Sequence, residues 1–329
     1  LCEKAHSLGI KIILDVAFSH TGSNSIYFDS KGVFGNGAVS NPDSPYRDWY
    51  DFQSYPDKYT SWWGIETLPC VNELNPSFLE YITGDGGVVE KYLKLGADGY
   101  RLDVADELPD EFIIALRRKV KSVKKDAVII GEVWEDASNK ISYGVRKKYF
   151  THCKLDSIMN YPLRTAVLEF VKGNYKAESL IEVVNTLKEN YPRNAFLSLM
   201  NSLSTHDTLR AVTYFDAERL DLSKDEQAAY SHRDIKKAKD SLILASAIMY
   251  FLPGCPTVYY GDEVGATGFY DPFNRGFFPW DNMDLSLRDK FVKLGLIRKS
   301  HQALKSGEIE FEKQGEYILS FTRKMDKTK

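Results

Sequence analysis

The 329-residue chain is short of cysteine, of net charge and of long apolar runs, and each shortage excludes something. Its four cysteines, Cys2, Cys70, Cys153 and Cys255, are far apart and form no C-x-x-C or metal-ligand spacing. They read as reduced, partly buried thiols and not as a disulfide framework or a zinc site. With 43 basic and 46 acidic residues the net charge is -3, so no polyanionic partner is implied and nucleic acid is not expected. The basic run RDIKKAKD (233–240) reads as the solvated face of a helix. The longest apolar run, LILASAIMYFL (242–252), is too short to span a bilayer and reads as a buried helix. No G-x-G-x-x-G or G-x-x-x-x-G-K appears, which removes the usual phosphate loops, and no repeat or low-complexity tract is visible. The sequence opens on neither a methionine nor a signal-peptide pattern but on residues that read as a helix end running into a strand, so its natural start is expected upstream.

What is present is enough apolar material, 43% hydrophobic and 13% aromatic, for one large globular domain with appendages. Apolar strand patterns at 11–18, 99–104, 128–134, 156–161, 196–204 and 257–263 alternate with helical ones, most clearly at 109–123, 236–252 and 287–304. Alternation over this length predicts an α/β fold with a parallel sheet covered by helices. Asp15, Asp103, Glu132, Asn160 and Asp262 fall near the C-terminal ends of these strands. A (β/α)8 TIM barrel collects such ends around one mouth, where barrel enzymes keep their active sites.

Between the first strand and a helix near residue 76 lies an insertion of about fifty residues, far beyond the usual strand-to-helix loop. Its aromatic residues, from Tyr27 to Trp63, are too dense for a disordered linker and predict a small core of its own, with Trp62 or Trp63 facing substrate. Residues 307–324 read as two strands joined by a Gly-containing turn. The expected organisation is therefore a barrel catalytic domain at 1–20 and 75–305, an inserted domain at 21–74, and the start of a C-terminal β domain at 306–329.

The stretch GYRLDVADE (99–107) sets Arg101 and Asp103 on one face of a strand otherwise suited to burial. Glu132 in GEVWED and Asp207 in STHDT lie at the ends of two further strands. In a closed barrel the three acids converge, and carboxylates so placed cannot all titrate normally. One protonated acid beside one ionised carboxylate is what glycosidic bond cleavage uses, with about 5 to 5.5 Å between them when configuration is retained. Arg101 can then keep Asp103 ionised and aimed as a nucleophile.

At this point the sequence resembles the alpha-amylase family, glycoside hydrolase family 13, over nearly its whole length. DVAFSH (15–20), GYRLDVADE, GEVWED (131–136) and STHDT (204–208) are similar to its four motifs in order. LPCVN (68–72) resembles the motif near the end of the inserted domain, and GCPTVYYGDE (254–263) the last barrel strand. The resemblance implies Asp103 as nucleophile, Glu132 as general acid/base, and Asp207 as the residue that fixes sugar hydroxyls and favours the distorted transition state. It further implies that Arg101, His20 and His206 contact the nucleophile or the sugar before the scissile bond, that Asp15 braces the first motif, and that Trp134 stacks on the sugar after that bond. Glu107 and LPCVN look most like the neopullulanase and cyclomaltodextrinase branch, although Asp106 stands where that branch has Asn and Cys70 where it has Lys. FNRGFFPW (273–280) resembles a segment of oligosaccharide-cleaving members, which points Arg275 at more distant sugars.

No metal or other cofactor is expected. Many members hold calcium through an Asn before the first-motif His, and that position is Ser19, whose hydroxyl is a poorer ligand. The implied function is a retaining hydrolase of α-1,4-glucosidic bonds in maltodextrins, cyclodextrins, starch or pullulan. A transglycosylase, an α-1,6-acting relative and a non-catalytic sugar-binding or transporter-associated homologue remain as alternatives. Expected partners are α-glucan oligosaccharides, with a homodimer admitted, no membrane, and reduced thiols leaning towards the cytoplasm. The first motif belongs to the third barrel strand, so strands three to eight are expected here and the first two upstream of Leu1. His6, His152, His232 and His301 sit in no motif and are assigned surface or packing roles.

Overall fold

A computed structural model describes residues 1–151, 154–312 and 315–325; His152 and Cys153 lie outside the described residues. The chain divides into two compact units, Leu1–Val133 with Ala137–Ile158, and Trp134–Asp136 with Met159–Lys329.

The first unit is built on a four-stranded parallel sheet, β1 (Ile13–Val16), β4 (Gly99–Leu102), β5 (Val128–Gly131) and β8 (Ser157–Ile158), in that spatial order. Each step along the sheet moves to the next of these strands in the sequence, and helices fill two of the three crossovers. Helix α1 (Cys2–Ser7) precedes β1, while α2 (Pro76–Thr83) and α3 (Val88–Lys94) lead into β4. Asn75 starts α2 by accepting from the amides of Ser77 and Phe78, with Pro76 at the first helical position. Helix α4 (Asp110–Val123) joins β4 to β5, with acids in its first turn and Phe112, Ile113, Leu116 and Val120 buried as one stripe. Central β4 is buried at all four positions, as a strand paired on both edges and covered on both faces should be. Among the described residues strand β1 pairs on one edge, with β4, and its Ile13 is 41% exposed. Two small antiparallel hairpins complete the unit: β2 (Phe52–Ser54) with β3 (Lys58–Tyr59), and β6 (Ile141–Ser142) with β7 (Val145–Arg146). Around the first hairpin, Phe28 packs edge-on against Tyr50 and Tyr59, and Trp49 against Phe78.

In the second unit β9 (Met200–Ser202) pairs in parallel with β10 (Cys255–Thr257), and Met159 forms a parallel bridge to Met200. The unit's helices are α5 (Tyr161–Lys172), α6 (Ala177–Asn190), α7 (Arg193–Ser198), α8 (Ala211–Asp216), α9 (Lys224–Ala228), α10 (Ile235–Phe251), α11 (Leu285–Ser300) and α12 (Gln302–Ser306), of which α5 packs on β9 and α10 on β10. An antiparallel hairpin, β11 (Glu308–Phe311) with β12 (Phe321–Lys324), ends the unit. Helix α10 carries the long apolar run, and among the described residues no helix is long and apolar enough to cross a membrane.

The strands and helices depart from the sequence reading in four places, and no closed barrel is present among the described residues. The strand expected at 196–204 is split: 196–198 end helix α7, which Pro192 begins, and 200–202 form the paired strand. The strand expected at 156–161 stops at Ile158, because Asn160 turns to cap α5 by accepting from the Leu163 amide. The last strand runs over 255–257 and not 257–263: Gly261 is left-handed and Asp262 sits in a 3₁₀ turn, Asp262–Val264. Gly254 ahead of that strand has φ 112°, and a Cβ there would meet the Asn201 side-chain nitrogen at 2.4 Å. The helix expected over 287–304 breaks at His301, where the Ser300 hydroxyl and His301 ring both bond the Ile297 carbonyl.

Candidate active site

In the first unit one guanidinium organises three carboxylates. Arg101 on β4 is buried, with Nη1 2.8 Å from Asp15 Oδ1 and 2.5 Å from Asp103 Oδ1, and Nη2 2.9 Å from Glu132 Oε2. The register brings them together: Asp15 pairs with Arg101 across β1 and β4, and Glu132 directly follows β5. The Asp103 amide donates to the Val16 carbonyl and the Glu132 amide to the Leu102 carbonyl, so both acids sit on fixed backbone. Val104 then takes φ 40°, rare for a β-branched residue, and its amide donates to Glu132 Oε2 at 2.9 Å. The backbone strain after Asp103 thus aims an N–H at the second acid. Burial disfavours the Arg101 charge, but Glu132 and Asp15 outweigh it and hold the guanidinium above its ordinary pKa. Glu132 is 6% exposed and Asp103 29%, so the two acids face different dielectrics.

Beside them, His20 forms a bridge with Cys70, and its Nδ1 lies 2.9 Å from the Ser19 hydroxyl. Burial pushes its imidazole below the usual value, against the fields of Asp103 and Glu107. Ser19 is buried with its hydroxyl committed to His20, and no cluster of three metal-ligating side chains occurs among the described residues. A cavity of about 530 Å³ is lined by Trp62, Trp63, Cys70, Glu73, Glu107 and Tyr143, among others. Trp63 is 79% exposed with φ 52°, and its indole N–H donates to Glu107 Oε1 at 2.9 Å, where the Tyr143 hydroxyl also donates at 3.0 Å. Burial lifts Glu73 to about 7, with the Glu107 charge adding to it, and lifts the Cys70 thiol to about 11. Asp106 is held by the Tyr149 hydroxyl and by Lys140 at 3.1 Å.

The second unit holds Asp207, in the loop after β9. His206 Nε2 lies 3.1 Å from Asp207 Oδ2, and Arg275 Nη2 lies 3.4 Å from Asp207 Oδ1. The Thr205 hydroxyl accepts from the Asp207 amide, and the Thr208 hydroxyl from the Thr205 amide, which closes a tight turn around the acid. Wholly buried Asn274 donates to the carbonyls of His206 and Thr208 at 2.7 and 2.8 Å. Its own carbonyl accepts from the Nε of buried Arg210, which also pairs with Asp262 at 3.0 Å. Burial raises the Asp262 carboxyl to about 6. Trp134, 43% exposed, stacks on Tyr161 at 4.0 Å between ring centroids and 7° between planes, which fixes a flat apolar surface.

The structure brings Asp15, Arg101, Asp103 and Glu132 into one ion network, and sets Asp207, His206 and Arg275 in a second. The sequence reading missed Asn274, the Val104 strain, Glu73 and Tyr161. Asn274 lies inside the quoted FNRGFFPW and Glu73 directly follows LPCVN, and only that placement could have pointed to them.

Residues 1–310 match the family model described as alpha amylase, catalytic domain. The chain is 35% identical to an amylopullulanase of Thermoanaerobacter thermohydrosulfuricus, covering 99% of this chain and 23% of that protein. It is 32% identical to neopullulanase 2 of Thermoactinomyces vulgaris, covering 92% and 49%. A solved structure of the Nostoc punctiforme debranching enzyme aligns with a TM-score of 0.82 at 25% identity, covering 99% of this chain and 65% of that one. The chain spans about a quarter to a half of these two curated relatives.

Proposed function

The chain belongs to the alpha-amylase catalytic-domain family, and from that premise we propose that it carries the chemistry of a retaining glycoside hydrolase acting on α-1,4-glucosidic bonds of maltodextrins, cyclodextrins, starch or pullulan. The observation that carries the reading is the sharing of one guanidinium by Asp103 and Glu132. A common cation holds the two carboxyl groups close, the arrangement double displacement uses.

In the first step an Asp103 oxygen attacks the anomeric carbon. The bond to the leaving oxygen breaks as Glu132 gives that oxygen a proton. In the second, Glu132 takes a proton from water, and the water oxygen displaces Asp103 from the sugar. Arg101, 2.5 Å from Asp103, orients that carboxylate for the attack. Asp207, with His206 and Arg275 as its partners, fixes sugar hydroxyls. His20 contacts the sugar before the cut, while Trp134, Glu107 and Trp63 offer surfaces to its neighbours. Asp15 orients Arg101, and no step passes through a metal. A sugar hydroxyl in place of water would make the same residues a transglycosylase.

The parallel order β1–β4–β5–β8 supports a reading of this unit as part of a (β/α)8 barrel. The dense aromatic packing of 21–74 supports an inserted domain, and the β11–β12 hairpin, Glu308–Phe311 with Phe321–Lys324, a separate β element. The free thiols Cys2, Cys70 and Cys255 support a reducing compartment such as the cytoplasm. A homodimer is compatible with this reading.

The test is hydrolysis of maltotriose by the complete gene product, followed by proton NMR of the first product anomer, beside Asp103→Asn and Glu132→Gln. Initial release of the α-anomer by wild type, with both variants reduced at least about 1000-fold, is expected for a retaining pair. Initial release of the β-anomer, or a fully active Asp103→Asn, refutes it.

A further inference from the structure

We propose that Asn274 is a positioning residue that sets the backbone on either side of Asp207, and through it the aim of that carboxylate during glycosyl transfer. The inference rests on the glycosidase reading and deepens it. Asn274 is wholly buried, and its side-chain nitrogen lies 2.7 Å from the His206 carbonyl, 2.8 Å from that of Thr208 and 3.4 Å from that of Thr205. The two short bonds use both amide hydrogens and land on the residues immediately before and after Asp207. The amide oxygen has no hydrogen-bond partner among the described residues. Turning the amide over would put that oxygen against carbonyl oxygens, so the side chain leaves its own acceptor unmet and gives both donors to this loop.

Asn274 is itself held. Its backbone carbonyl accepts from Arg210 Nε at 3.0 Å, and Arg210 is pinned by the Tyr260 carbonyl at 2.7 Å and by Asp262. Arg275, one residue on, adds a bond to the His206 carbonyl at 3.1 Å. Among the described residues the Asp207 side chain meets His206 and Arg275, and its peptide framework is fixed by Asn274 together with Arg275 and the Thr205 and Thr208 hydroxyls. A carboxylate that must meet sugar hydroxyls in one geometry needs such a framework, since a misplacement of about 1 Å can cost on the order of 100-fold in rate.

The experiment compares wild type, Asn274→Ala, Asn274→Ser, Asp207→Asn and the Asn274→Ala/Asp207→Asn double variant in the complete gene product, with an activated aryl α-maltoside as substrate. Circular dichroism and thermal melting report folding. Asn274→Ala is expected to stay folded, to lose about 10- to 100-fold in kcat, and to change KM by less than about 3-fold. Asn274→Ser, which keeps one donor, recovers part of that loss. In the Asp207→Asn background the same change costs less than about 2-fold, because the group it acts through is gone. Wild-type kcat in Asn274→Ala, equal losses in both backgrounds, or collapse of the fold in both single variants overturns the proposal. An inactive wild type removes the glycosidase reading and this inference together, whereas an active wild type that is sensitive to Asp207→Asn and indifferent to Asn274→Ala removes this inference alone.

Discussion

Replacing Arg101 by lysine removes the planar fork while keeping the charge, so it asks whether the geometry of the guanidinium or its charge organises the site. Three contacts are at stake and they are not equal. Asp15 is 58% exposed, and its pair is an exposed ion pair of about 0.2–1 kcal/mol. Glu132 is 6% exposed, and breaking a buried pair costs about 3–5 kcal/mol, because a desolvated charge is left behind. A lysine reaches one of the two catalytic acids and not both, so we expect Arg101→Lys to lose about 2–4 kcal/mol in urea unfolding, between those limits. The rate should fall at least about 100-fold, since Asp103 loses its orienting donor. Arg101→Met combined with Glu132→Gln should be more stable than Arg101→Met alone, because the second change removes the stranded charge. Urea midpoints and maltotriose hydrolysis check both statements. An Arg101→Lys protein with the wild-type midpoint and rate would refute the reasoning.

Two pH effects follow from the buried acids. Glu73 is raised to about 7, so its contribution favours the fold fully below the unfolded value and is lost as pH rises towards 7. Glu73→Gln should therefore stabilise the protein by about 2 kcal/mol above pH 7 and flatten the pH dependence between its unfolded and folded values, as read by thermal melts. Asp98 behaves in the opposite sense. Burial alone would raise it, but Lys124, the Ile12 amide, His6 and Lys11 hold it well below the carboxylate range. Its stabilisation is present above the unfolded value and lost on acidification, so Asp98→Asn should lower the melting temperature at neutral pH, with the deficit narrowing below about pH 4.

The sequence made the frame of the site legible because strands end where their apolar alternation meets a polar residue. Arg101 and Asp103 are read that way, and β4 ends at Leu102, one residue before the acid. The short strands were harder. Residues 196–204 are apolar enough for either element, and Pro192, which starts a helix there, outweighs that pattern. Asn160 looked like a site residue at a strand end and is a helix cap, which uses the same residue type for a different hydrogen bond. The supports of the site leave no periodic trace. Asn274 acts on the carbonyls of residues about 70 positions earlier, and the left-handed turn at Val104 contradicts that residue's own preference. Such contacts depend on tertiary geometry, which composition and spacing do not encode.

The central claim is that Asp103 forms a bond to sugar. The most direct measurement is incubation of the complete gene product with 5-fluoro-α-glucosyl fluoride, followed by proteolysis and peptide mass spectrometry. Retaining chemistry through this residue predicts one added fluoroglucosyl group, located by fragmentation on Asp103 and absent from Asp103→Asn. A label on a different carboxylate, or a label that persists in Asp103→Asn, would contradict the account.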